Sequence, residues 1–153
     1  MDVTDLSGMR VLVVDDTRAN VDILVGALRD EYRIAVAMDG PSALRAVAKT
    51  APDIVLLDIM MPGMDGYETC RRIREEPTTS FVPVVMVTAF SQAGLVEEAA
   101  RAGAMGYVVK PFSRNDIVPA MQVAVSRHAE MSLLAQQVGD LEERLETRKL
   151  LDR

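Results

Sequence analysis

The chain has 153 residues, 49% hydrophobic and 26% charged, with a formal net charge of −6, which suits one globular domain plus a further element. The acidic balance argues against a surface built mainly for nucleic acid, and no apolar run reaches the ~18 residues of a membrane span. The start, Met1-Asp2-Val3-Thr4-Asp5, lacks a signal pattern, so a cytoplasmic location is expected. The single cysteine, Cys70, cannot close an internal disulfide and reads as a packing residue.

Residues 1–8 are polar and read as a flexible tail. Arg10-Val11-Leu12-Val13-Val14 predicts a first strand that runs into Asp15-Asp16. Val21, Ile23, Leu24, Ala27 and Leu28 then recur at helical spacing, with Thr17 and Asn20 near the start. Arg33–Ala37 predicts a second strand, and Asp39-Gly40 a turn. Pro41 suits the first turn of a helix whose apolar face is Ala43, Leu44, Val47 and Ala48, closed by Pro52.

Ile54-Val55-Leu56-Leu57-Asp58 is an unbroken apolar run ending in one aspartate, with Pro62-Gly63 just beyond. Such a run fits a strand buried on both faces. Asp65-Gly66 opens a helix with Tyr67, Cys70 and Ile73 on its inner face. Val82-Pro83-Val84-Val85-Met86-Val87 predicts the fourth strand, ending at Thr88. A short helix with Leu95, Val96, Ala99 and Ala100 stops at Gly103. Gly106-Tyr107-Val108-Val109 predicts the fifth strand, ending at Lys110-Pro111, and Ser113 with Asp116 resembles a capping box for the last helix.

Strict alternation of apolar strands with helices predicts an α/β fold with a parallel sheet covered on both faces. Four of the five strands end in usable chemistry: Asp15 and Asp16, Asp58, Thr88 and Lys110. The second ends in Ala37-Met38. Placing that strand at the edge makes the other four ends neighbours, which is the flavodoxin-like order 2-1-3-4-5. Three crowded carboxylates repel, and a hard divalent cation such as Mg2+ relieves them through oxygen ligands. Lys110 adds a charge for a bound anion and Thr88 a hydroxyl donor. Together they describe a place where a carboxylate, Asp58, receives a phosphoryl group.

Val13-Val14-Asp15-Asp16, Leu57-Asp58-Ile59-Met60-Met61-Pro62-Gly63-Met64-Asp65-Gly66, Val87-Thr88-Ala89 and Val109-Lys110-Pro111-Phe112 resemble the receiver domain of two-component response regulators, over roughly residues 9–128. That resemblance implies Asp58 as phosphoacceptor for a sensor histidine kinase or phosphotransfer protein. It implies magnesium held by Asp15, Asp16, Asp58 and the Met60 carbonyl, with Asp15 acting mainly through water. Thr88 and Tyr107 become the switch pair, Lys110 the phosphoryl contact, and Lys110-Pro111 a cis peptide bond, which only X-Pro bonds tolerate cheaply. Aspartate-phosphorylating phosphatases carry a second acid two residues on; here that position is Met60, so slow self-hydrolysis is expected and turnover of a substrate is not. Met60 and Phe90 flank the site by the same resemblance and are expected to slow the attacking water.

The helical pattern continues past residue 128. Ile117, Ala120, Ala124, Arg127, Met131, Leu134, Val138, Leu141, Leu145 and Arg148 fall on alternating three- and four-residue steps. This is a heptad pattern with Arg127 and Arg148 as breaks, and residues 129–153 are expected to form a coiled-coil linker that pairs two chains. His128, the only histidine, reads as a surface or seam residue. Leu141–Arg153 resembles the opening of an ANTAR output domain, of the RNA-binding antiterminators. The stretch stops short of the RNA-binding bundle, so no nucleic-acid binding is expected of these residues, and a further domain is expected after them. A receiver of a nucleotide cyclase-type regulator and a constitutive dimerisation scaffold are the alternatives.

Overall fold

A computed structural model describes residues 7–89, 93–110 and 113–151. The elements in chain order are β1 (Arg10–Val14), α1 (Arg18–Leu28), β2 (Arg33–Ala37), α2 (Gly40–Thr50), β3 (Ile54–Asp58), α3 (Gly66–Glu75), β4 (Val84–Thr88), α4 (Ala93–Ala102), β5 (Gly106–Val109) and α5 (Arg114–Leu151). All strand pairs are parallel and the order is β2-β1-β3-β4-β5, the flavodoxin-like arrangement expected. The first strand of the chain therefore sits inside the sheet, and the chemically plain strand β2 takes the edge.

Burial explains that order. Every residue of β3 and β4 is buried, while the edge strand leaves Val36 43% exposed. Successive side chains on a strand face opposite sides of the sheet. Leu12, Val14, Val55, Leu57 and Met86 pack under α2, α3 and α4 through Ala43, Val47, Cys70, Ile73 and Ala99. Val11, Val13, Leu56, Val85 and Val87 pack under α1 and α5 through Leu24, Leu28, Ile117 and Met121.

Local chemistry sets the helix starts. The Asp39 carboxylate accepts the Ser42 N–H at 2.7 Å and the Asp65 carboxylate accepts the Glu68 N–H at 2.9 Å, satisfying donors that a helix start leaves free. Asp116 accepts the Ser113 N–H at 2.8 Å, as the spacing of the two residues predicts. Helix α2 ends at Ala51 in the left-handed conformation, one residue before Pro52.

Three expectations need correction. Strand β4 begins at Val84, not Val82, because Pro83 has no N–H to give the ladder, although its carbonyl still accepts from Val55. Ile23 points outward at 57% exposure, and Val96 and Ala100 on α4 are exposed while Ala99 and Ala102 are buried. On α5 the residues buried against the sheet are Ile117, Met121 and Ala124. Two of the heptad positions, 117 and 124, are thus spent on the domain's own core. Helix α5 is continuous over 38 residues, about 57 Å at 1.5 Å per residue. Among the described residues no helix is long and apolar enough to cross a membrane. Pro111 and Phe90 lie outside the described residues, as do positions 1–6, 152 and 153.

One close approach holds the site in shape. A Cβ on Gly66 would lie 2.4 Å from the Asp58 carbonyl oxygen and 2.7 Å from the Ile59 Cα, so only glycine lets α3 start against the end of β3. We expect Gly66→Ala to cost about 1–3 kcal/mol by overpacking, read by chemical denaturation, and to weaken Mg2+ binding in parallel because the backbone that must move carries Asp58.

Candidate functional site

The strand ends bring the sequence-predicted residues together. Oxygen atoms of Asp15, Asp16 and Asp58 all lie within 4.8 Å of one another. Lys110, at the end of β5, reaches across with its Nζ 3.2 Å from Asp15 Oδ2 and 3.4 Å from Asp58 Oδ1. Asp15 and Asp58 are buried, at 1% and 4% exposure, while Asp16 is exposed. Thr88 is fully buried at the end of β4, and the Lys110 N–H donates to its carbonyl at 2.6 Å. Met60 lies 62% exposed in the loop after Asp58.

Burial pushes the Asp58 carboxyl up to about 6 from the ordinary value near 3.8, and the neighbouring Asp15 charge pushes the same way. Lys110 opposes both and does not win. In the absence of a cation the carboxylate is therefore held at a cost. The donor set is all oxygen, clustered and open on the Asp16 side, which is what a hard divalent cation selects. Asp15, Asp16 and Asp58 can hold such an ion, and the cation would relieve the repulsion that Lys110 only partly offsets.

Two residues noted only as near a helix start prove to orient the site. Asp15 Oδ1 accepts the Thr17 N–H at 2.9 Å and the Asn20 amide at 3.5 Å. That commits one oxygen to the first turn of α1 and leaves Oδ2 for cationic partners. Thr17 starts the helix without capping it by its own side chain; Asp15 does that work from two residues earlier. An Asx turn of this kind is readable from Asp-x-Thr before a helix. Tyr107 stands apart from the cluster, paired with Met86 on the sheet and 42% exposed. His128 is half-buried beside Phe81 and Pro83 near the amino ends of the strands, at the opposite end of the sheet from Asp58. A hollow of about 720 Å³ between α2 and α3 holds no part of the site.

A model of the response regulator receiver domain matches residues 11–122. The chain belongs to the response regulator receiver family. It is 44% identical over 146 residues to the transcriptional regulatory protein PdtaR of Mycobacterium tuberculosis, covering 94% of this chain and 70% of that protein. It is 48% identical over 104 residues to the response regulator PleD of Caulobacter vibrioides, covering 67% of this chain and 23% of that one. Among solved structures it resembles the chemotaxis protein CheY4 of Vibrio cholerae, with a TM-score of 0.73 at 29% identity over 77% of this chain and 99% of that one. It also resembles the receiver domain of the sensor histidine kinase PA1611 of Pseudomonas aeruginosa, described with a magnesium ion in its active-site cleft. There the TM-score is 0.72 at 30% identity, over 78% and 99% of the two chains. A receiver is a signalling domain, not a member of a catalytic enzyme family.

The raised pKa of Asp58 has a measurable consequence. The native state binds this proton more tightly than the unfolded chain, so its contribution to stability is present below about pH 4 and is lost as pH rises through about 6. Asp58→Asn removes the penalty. Without divalent cation the variant is expected to be more stable than wild type by about 1–3 kcal/mol at pH 7. Urea denaturation should show the gap opening between pH 4 and 6, vanishing below, and shrinking when Mg2+ is added.

Proposed function

We propose that Asp58 accepts a phosphoryl group from a sensor histidine kinase or a phosphotransfer protein, and that the chain is a phosphorylation-controlled switch. The observation that carries this reading is the meeting of three carboxylates and the Lys110 ammonium at one end of the sheet, with the phosphoacceptor on a buried strand. An Asp58 oxygen attacks phosphorus, the phosphorus–nitrogen bond of the donor phosphohistidine breaks, and the departing imidazole nitrogen takes a proton. Asp15, Asp16, Asp58 and the Met60 carbonyl would hold Mg2+, which when bound would supply charge neutralisation for the phosphoryl oxygens.

Lys110 then exchanges its two carboxylate partners for a phosphoryl oxygen, and the Thr88 hydroxyl donates to another. Tyr107 repacks from its exposed position as the α4–β5–α5 face adjusts. The added charge is large enough to reorganise a neighbouring segment. No acid stands at Met60 to serve leaving groups, so Asp58 holds a signal and turns over no substrate. The setting is cytoplasmic.

The helix beyond residue 128 carries the output. Met131 and Leu134 are 58% and 59% exposed on α5 and lie on one stripe with Ala120 and Val123, supporting a coiled-coil seam between two copies. Similarity to PdtaR, named a transcriptional regulatory protein, runs over 94% of this chain and so beyond the receiver. Together with the resemblance of Leu141–Arg153 to an ANTAR opening, this points to an output in gene expression, through an RNA-binding antiterminator domain outside these residues.

Incubation with Mg2+ and acetyl phosphate should place one acid-labile phosphoryl group on wild type and none on Asp58→Asn; labelling of that variant at another site would sink the assignment. Lys110→Ala should still bind Mg2+ but lose the structural response. Sedimentation should show dimers that tighten by about fivefold or more with Mg2+ and beryllofluoride and weaken in Leu134→Glu. A monomer at high micromolar concentration in both states rules out the coiled coil.

A further inference from the structure

The connection from α4 to β5, residues 103–105, is gripped by two arginines that come from opposite faces of the sheet. Helix α4 ends in a Schellman turn: Gly103 N–H donates to the Ala100 carbonyl and Ala104 N–H to that of Ala99, each at 3.0 Å, with Gly103 at φ +98°. The Gly103 carbonyl faces Arg74 of α3, which donates to it from Nε at 3.0 Å and Nη2 at 2.8 Å. The same guanidinium binds the carbonyls of Ser80 and Val82. A Cβ on Gly103 would lie 2.7 Å from the Arg74 side chain, so glycine is required twice over, for its φ and for the contact. Two residues on, Met105 donates to the Val84 carbonyl at 2.8 Å and its own carbonyl accepts from Arg127 Nη1 of α5 at 3.2 Å.

Arg127 is the first of the two residues that interrupt the heptad stripe of α5. It lines a groove of about 480 Å³ with Val96, Tyr107, Ala120 and Val123, and Met131 and Leu134 follow it exposed on the same stripe. A charged residue at a seam position weakens a coiled coil, so its place calls for another role, and the Met105 carbonyl supplies one. We propose that Arg74 and Arg127 make residues 103–105 a relay between α4 and the helical extension, with Arg127 a positioning residue for that extension. This rests on the switch reading of Asp58 given above. Arg74 fixes the carboxyl end of α4, whose amino end, Ala93, follows Thr88 by five residues along the chain. A shift at the amino end becomes a tilt about Gly103, and Arg127 passes that tilt to α5 at the point where the helix leaves the domain.

Amide hydrogen exchange on the full chain tests the relay without phosphorylation. Lysine cannot reproduce a guanidinium that serves three carbonyls, so Arg74→Lys loosens the grip while keeping the charge. It should speed exchange about fivefold, the worth of roughly one hydrogen bond, both at residues 103–106 and at residues 124–131. In an Arg127→Met background, Arg74→Lys should speed the loop and leave residues 124–131 unchanged, while Arg127→Lys keeps part of the coupling. The melting temperature of Arg127→Met should match wild type. Equal effects on α5 in both backgrounds, or none in either, overturn the relay.

A second arm needs no change at Arg74. Mg2+ with beryllofluoride should alter exchange in α4 and in residues 124–131 of wild type, and in α4 alone of Arg127→Met. A response that persists in α5 of that variant also overturns the relay. Wild type that fails to respond in α4 defeats the switch reading instead, and the Arg74→Lys comparison still decides the relay.

Discussion

Three carboxylates gathered at one end of a parallel sheet are the constraint on which the rest of this molecule depends. Two of them are buried, and like charges in a low-dielectric setting repel strongly. Lys110 spans Asp15 and Asp58, yet Asp58 still titrates near 6, so one lysine does not balance the group. The arrangement persists because the surrounding structure over-determines it. The buried strands β1 and β3 hold the carboxylates in place, Gly66 lets α3 close against Asp58, and α1 orients Asp15 through the Thr17 N–H. A site under this tension responds to whatever neutralises it, a divalent cation above all.

Helix α5 serves two masters along one length. Ile117, Met121 and Ala124 complete the core under β4 and β5, while a second stripe about a quarter-turn away runs from Ala120 through Val123 to Met131 and Leu134. The first ties the helix to the domain, while Val123, Met131 and Leu134 on the second are exposed. A rigid helix that is both core and lever cannot be displaced at its exit without strain in the domain, and that coupling is what a receiver needs to act at a distance.

Much of this was legible before any coordinates. Apolar runs of four or five residues, each ending in a polar residue, mark buried parallel strands, and the plain end of the second strand places it at the edge. Asp15, Asp16, Asp58 and Lys110 meet as their strand positions imply. The misreadings came where an amphipathic face was judged from apolar residues alone. Ile23 and Val96 recur at helical spacing yet are exposed, and Ile117 and Ala124, which begin the heptad stripe, belong to the sheet's own core. Periodicity shows that a face is apolar and does not say what covers it.

The sequence by itself determined the order of elements, the parallel sheet and which charged residues meet at its carboxyl end, because these follow from local periodicity and from what strand ends carry. Only the tertiary structure decided which oxygen of Asp15 faces Lys110, why positions 66 and 103 must be glycine, and what Arg74 and Arg127 hold. Those depend on approaches between residues far apart in the chain, such as Arg74 with Gly103 and Lys110 with Asp15. Distances of that kind arise only when the layers close on one another, and no spacing along the chain encodes them.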